Sequence, residues 1–167
     1  MSEELPAVLV IGGHDSSGGA GVDADREALE CAGVDASIVV TAWTVQDSQG
    51  LRDLGAVDPE VWGREALAES KNLAGSFRTV KFGLLPSAAA VSTAAKLAAA
   101  WAGRVNIVID PVIAPSRGGR FLDFSALEAY REKLLPLGGI WTPNLPELAE
   151  LVACDPSELA LEPGLRV

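Results

Sequence analysis

The sequence predicts an α/β fold, a mostly parallel sheet with helices on both faces. Three observations predict it. Apolar runs of strand length alternate with segments of helical spacing, the pattern of parallel strands joined by crossover helices. The longest run, residues 37–45, is β-branched without strict alternation, as suits a strand covered on both faces. A glycine-rich stretch, residues 11–25, joins the first strand to the first helix, where folds of this class place their ligands.

Taken in order, residues 7–11 (Ala-Val-Leu-Val-Ile) form the first strand. Residues 18–32 carry Ala20, Ala24, Ala28 and Leu29 at helical spacing, with Gly33 as the stop. The second strand closes at the polar cluster Gln46-Asp47-Ser48-Gln49-Gly50, and residues 51–57 form a short strand or flap. Asp58 caps a helix over 59–73 that has Pro59 in its first position. Residues 79–85 are the third core strand. After Pro86 comes an alanine-rich helix over 87–103, interrupted by Lys96, which makes it a packing helix and not a membrane span. Residues 105–109, closed by Asp110 and Pro111, are the fourth strand. A loop at 116–120 leads to a helix over 124–135, a fifth short strand over 140–142 and a last helix over 145–152. Residues 155–167 have no clear partner in the sequence. There is no internal repeat, and the expectation is a single domain over 1–167.

A formal net charge of -10 leaves no basic face for nucleic acid or anionic lipid. The acidic start, Met-Ser-Glu-Glu-Leu-Pro, does not resemble a secretory signal, so the expectation is a cytoplasmic protein. Cys31 and Cys154 are far apart and lack nearby histidine partners, which indicates neither a metal site nor a disulfide framework.

The glycine-rich stretch fails the Walker pattern, because Gly13 and Gly18 have the right separation but Gly19 and Ala20 follow where Lys and Ser or Thr are needed. Residues 19–24 fit the dinucleotide fingerprint but lie several residues past the strand. Asp15, Asp23 and Asp25 would repel a bare phosphate, yet they could accept from a hydroxyl or hold a hydrated cation. The local chemistry suits a polar, uncharged ligand.

At the carboxyl ends of the five strands stand Gly12 and Gly13, Gln46, Gly83 and Leu84, Asp110 and Asn144. No Ser-His-Asp or Cys-His arrangement accompanies them, which disfavours covalent catalysis. Each has a plainer alternative. Gln46 is either a solvated loop residue or an amide that reads a flat aminopyrimidine edge. Asp110 before Pro111 is also a turn starter. Asn144-Leu-Pro-Glu147 is also a helix capping box. His14 either touches the ligand or is exposed, and Lys81 either snorkels or pairs with a carboxylate.

The runs Gly13-His-Asp-Ser-Ser-Gly-Gly-Ala-Gly-Val-Asp-Ala-Asp25, Thr41-Ala-Trp-Thr-Val-Gln46, Lys81-Phe-Gly-Leu84, Ile109-Asp-Pro-Val112 and Thr142-Pro-Asn-Leu-Pro-Glu147 resemble the hydroxymethylpyrimidine/phosphomethylpyrimidine kinases of thiamine biosynthesis. These belong to the ribokinase-like superfamily, as do the similar pyridoxal kinases. The resemblance runs from about Val8 to Val152. It implies ATP-dependent phosphorylation of the hydroxymethyl group of 4-amino-5-hydroxymethyl-2-methylpyrimidine, and then of its monophosphate, with ATP and Mg2+ as cofactors. Carried over, Gln46 would bond the aminopyrimidine edge, Gly13, Ala20, Thr44, Leu84 and Val112 would form the pocket wall, and Asp25 would help fix loop and substrate. Asp110, Asn144 and Glu147 would lie in the phosphate and magnesium region.

Two departures stand out. Where the family has Lys-Ser-Gly after the Asp110 strand, this chain has Ser116-Arg117-Gly118. The family's glycine-rich anion hole, catalytic base and most of its adenine site belong to a C-terminal portion not found in this sequence, so no catalytic residue is assigned. The expectation is therefore a truncated or split kinase that lacks the C-terminal part of the fold and is inactive alone. Its partners would be an aminopyrimidine and either further copies of itself, as a homo-oligomer, or a complementing C-terminal portion. The alternatives are a non-catalytic pyrimidine- or pyridoxal-binding module and an unrelated nucleotide-dependent enzyme.

Overall fold

The computed structural model describes residues 6–47, 50–114 and 120–153, with the side chains of Gln46, Asp47 and Ala74 outside the description. Among these residues one sheet holds six strands: β1 (Ala7–Asp15), β2 (Asp35–Asp47), β3 (Gly50–Ala56), β4 (Phe77–Phe82), β5 (Asn106–Ile109) and β6 (Ile140–Trp141). Their spatial order is β3-β2-β1-β4-β5-β6. All neighbours are parallel except β2 and β3.

The connecting helices are α1 (Gly21–Cys31), α2 (Pro59–Asn72), α3 (Ala88–Trp101), α4 (Phe124–Ala129) and α5 (Leu145–Val152). Their starts follow from capping chemistry. Asp58 accepts from Glu60 N at 2.8 Å ahead of Pro59, Ser87 accepts from Ala90 N at 3.2 Å, and Asp123 accepts from Ala126 N at 2.8 Å. Each satisfies a backbone donor that the first helical turn leaves open.

The two faces of the sheet differ. Because side chains alternate along a strand, Leu9 and Ile11 of β1 point into the main core with Trp62, Ala66, Phe82, Val91, Leu97 and Tyr130. Val10 points the other way, to the face where Val22 of α1 is buried. Register carries this across the sheet: Ile38, Val10, Lys81 and Val108 form one row on the α1 face. Val8, Ile38, Val40 and Val108 on that face are only half-buried. Lys81 therefore sits in an apolar row.

Several expected boundaries move. β1 continues four residues beyond Ile11 to Asp15, because a bulge between Gly12 and Gly13 keeps it paired with β2. The first helix begins at Gly21 and not at residue 18, since Gly18 in the turn before it and Gly21 at its first position adopt positive φ (68° and 67°). Residues 50–56 form a true antiparallel edge strand. The helix expected over 124–135 is α-helical only to Ala129 and widens into a π turn over Tyr130–Leu134. Residues 116–119 and the tail 155–167 lie outside the described residues, and so does Cys154. Among the described residues no helix is long and apolar enough to cross a membrane.

Candidate functional site

The extension of β1 through two glycines brings bare backbone to the carboxyl edge of the sheet. A Cβ on Gly13 would lie 2.8 Å from Leu84 Cδ2, so the leucine of the β4 end packs directly on the β1 main chain. A Cβ on Gly21 would stand 2.3 Å from Gly13 O, which fixes glycine where the loop folds back and pairs with His14. The loop is braced from within: the buried Asp15 carboxylate accepts from Ser17 N at 3.0 Å and from Ser17 Oγ at 2.7 Å, and Gly18 N donates to Asp15 O. His14 Nε2 lies 3.1 Å from Asp23 Oδ2, and its ring packs against Trp43 at 4.5 Å.

Each of the three loop aspartates has a polar partner within the protein, Ser17 for Asp15, His14 for Asp23 and Lys81 for Asp25. Carboxylates placed beside such partners are satisfied locally.

A cavity of about 310 Å³ opens beyond the carboxyl ends of β1, β2, β4 and β5. Gly13, Ala20, Thr44, Leu84 and Val112 line it, as do Asp25 and Asp110. Thr44 Oγ1 donates to His14 O at 3.2 Å, and Thr41 Oγ1 donates to Leu84 O at 2.5 Å, so hydroxyls hold the chain turns that shape the wall. At the polar end, Lys81 Nζ donates to Asp25 Oδ1 at 2.5 Å and lies 3.4 Å from Asp110 Oδ2. Of the two alternatives for Lys81, pairing is what occurs, with carboxylates from α1 and from the end of β5.

Asn144 and Glu147 stand apart from this cavity. They form a full capping box at α5: Glu147 N donates to Asn144 Oδ1 at 2.9 Å, and Asn144 N donates to Glu147 Oε2 at 3.0 Å. The other Glu147 oxygen accepts from Ile113 N at 3.3 Å. Burial pushes the Glu147 carboxyl above the usual carboxylate range; those two N–H groups oppose the shift, and the negative charges of Asp110 and Glu150 add to it. Glu147 thus ties α5 to the segment after β5, while Asn144 itself is exposed.

Six expected pocket residues (Gly13, Ala20, Asp25, Thr44, Leu84 and Val112) therefore meet in one cavity with Asp110. Asn144 and Glu147 do not line it, and the Gln46 side chain lies outside the described residues. The backbone of Gln46 pairs with Leu51 just past a bulge at Arg52 in β3. Among the lining residues that strand ends alone do not indicate are Lys81 and Phe121. Lys81 is signalled by the alternation Val80-Lys81-Phe82, which turns its side chain from the core toward the α1 face. Phe121 reaches the cavity because its N–H donates to Ile113 O at 3.0 Å, a loop contact with no sequence signal.

The family described as phosphomethylpyrimidine kinase matches residues 15–161. The hydroxymethylpyrimidine/phosphomethylpyrimidine kinase of Mycobacterium tuberculosis is 39% identical over 150 residues, which is 88% of this chain and 53% of that protein. This chain thus spans about half the length of the curated kinase it matches. Among solved structures, the phosphomethylpyrimidine kinase of Clostridium difficile 630 superposes with a TM-score of 0.77 at 28% identity, over 90% of this chain and 63% of that one. An ADP complex of Bacillus subtilis pyridoxal kinase gives 0.77 at 30% identity, over 91% and 55%.

Proposed function

The chain belongs to the phosphomethylpyrimidine kinase family, and from that premise we propose that it supplies the pyrimidine-binding portion of an ATP-dependent kinase of thiamine biosynthesis. The enzyme phosphorylates hydroxymethylpyrimidine and then its monophosphate, and residues 1–167 act as one domain. The observation that carries this reading is the cavity beyond the strand ends. Its wall of bare glycine backbone and apolar side chains suits a flat heteroaromatic ring, and Lys81, Asp25 and Asp110 gather at one end.

On this reading Gly13, Ala20, Thr44, Leu84 and Val112 enclose the ring, Gln46 bonds its aminopyrimidine edge, and Asp25 fixes the loop against the substrate. The donor set also admits a magnesium nucleotide. Magnesium takes one or two carboxylates together with waters and substrate phosphates, and when bound it neutralises phosphate charge. Asp110 fits that need, because its second carboxylate oxygen has no hydrogen-bond partner among the described residues. Glu147, whose oxygens both accept backbone N–H groups, supports the segment behind it. Among the described residues no cluster of three or more His, Cys, Asp or Glu could hold a metal, so the ion would arrive with the nucleotide.

Binding and chemistry are separable for the 167-residue chain. The pyrimidine is expected to raise the melting temperature of the wild-type chain, and Gln46→Ala to abolish that shift; an unchanged shift in the variant would remove Gln46 from the pocket. Phosphotransfer from ATP by the chain alone is expected to be negligible, and turnover at ordinary enzyme rates would overturn that part. The likeness to pyridoxal kinase supports a second reading, a pocket for pyridoxal-type rings. Competition between pyridoxal and the pyrimidine decides between them.

A further inference from the structure

The family's two pyrimidine ligands pose an electrostatic problem for one cavity. One is a neutral alcohol and the other carries a phosphate, while the cavity presents Asp25 and Asp110 at its polar end. Two carboxylates facing a phosphate repel it, and the repulsion is stronger in a partly enclosed site than in water. Building on the pyrimidine reading above, we infer that Lys81 is the specificity-determining residue that lets the pocket accept the phosphorylated pyrimidine as well as the alcohol.

Three observations carry the inference. Lys81 is the one Lys or Arg among the described residues that line the cavity. Its ammonium has three donors. One is used by Asp25 at 2.5 Å; Asp110 at 3.4 Å is an ion-pair contact without a hydrogen bond, so donors remain for a third acceptor. Finally, Lys81 lies in register between Val10 and Val108, so its neighbours in the strand row are apolar and offer the ammonium no side-chain acceptor. Its stem is held on a paired strand, and its side chain keeps only 24% exposure. The cation is thus fixed between the two carboxylates at the polar end. It cancels one of their charges and offers a donor to the phosphate.

The test is calorimetric titration of the full 167-residue chain with 4-amino-5-hydroxymethyl-2-methylpyrimidine and, separately, with its monophosphate. It compares the wild type, Lys81→Met and Lys81→Arg at low and at moderate salt. In Lys81→Met the monophosphate should weaken at least about tenfold more than the alcohol, a difference of about 1.4 kcal/mol. Lys81→Arg should retain monophosphate binding. In the wild type, added salt should weaken the monophosphate and leave the alcohol unchanged. Equal losses of both ligands in Lys81→Met would reduce Lys81 to a brace for Asp25 and overturn the inference, as would no loss of either. If Lys81→Met does not fold, the wild-type salt response decides, and a salt-independent ratio of the two affinities overturns it. A wild-type chain that binds the alcohol but shows none of these differences sinks the inference alone, whereas one that binds neither ligand sinks the pyrimidine reading with it.

Discussion

Tyr130 is fully buried, and its hydroxyl has no hydrogen-bond partner among the described residues. Burial first, then the negative charges of Asp110 and Glu147, push its phenol far above the ordinary tyrosine value, so the group stays protonated. A buried hydroxyl without a partner bears its desolvation cost with nothing returned. Tyr130→Phe should therefore be neutral or stabilising by up to about 1 kcal/mol in chemical denaturation; a loss of that size would show that the hydroxyl is bonded. At this scale the sequence was most legible where a residue stands at a strand end. Gly13, Leu84 and Asp110 could be placed at one sheet edge because topology brings strand ends together, whatever the side chain does, whereas Thr44 and Val112 were legible only through the family resemblance. Lys81 was half legible, since alternation turns it out of the core but cannot say which carboxylates wait there. Phe121 was not legible at all, because a loop contact with Ile113 O brings it to the cavity.

Among the elements, β1 shows how a short pattern understates a strand. The apolar run stops at Ile11, and Gly12 and Gly13 read as a turn, yet the bulge between them preserves pairing as far as Asp15. The capping box at α5 was legible from Asn144 and Glu147 alone, because both of its bonds are local. The bond from Ile113 N to Glu147 was not, being a contact 34 residues apart in sequence. The start of α4 yields a pH prediction. Hydrogen bonds from the Ala126 N–H and then the Ser125 hydroxyl hold the Asp123 carboxyl below its ordinary 3.8. A depressed native value stabilises the fold above the ordinary value, and that contribution is lost as pH falls through the depressed one. Asp123→Asn keeps an acceptor at the cap but cannot titrate there. The stability of the wild type relative to Asp123→Asn, followed by thermal unfolding, should therefore fall on acidification below 3.8. A relative stability that rises on acidification would contradict the cap.

At the scale of the whole molecule, the sheet order β3-β2-β1-β4-β5-β6 sets the cavity over its central strands, where β1 is flanked on both sides by parallel partners. The alternation of strands and helices made that architecture legible, since crossover helices force parallel pairing. The antiparallel β3 at one edge was legible only as a choice between strand and flap, because seven residues with two glycines carry little pattern. The central claim, that this sheet edge is a pyrimidine pocket, is tested most directly by titrating an isotope-labelled chain with 4-amino-5-hydroxymethyl-2-methylpyrimidine and following the backbone amides by NMR. Saturable shifts centred on Gly13, Thr44, Leu84 and Val112 are expected. Saturable shifts centred instead on the groove between α4 and α5 around Arg131 and Glu150, or no shifts at all, would contradict the claim.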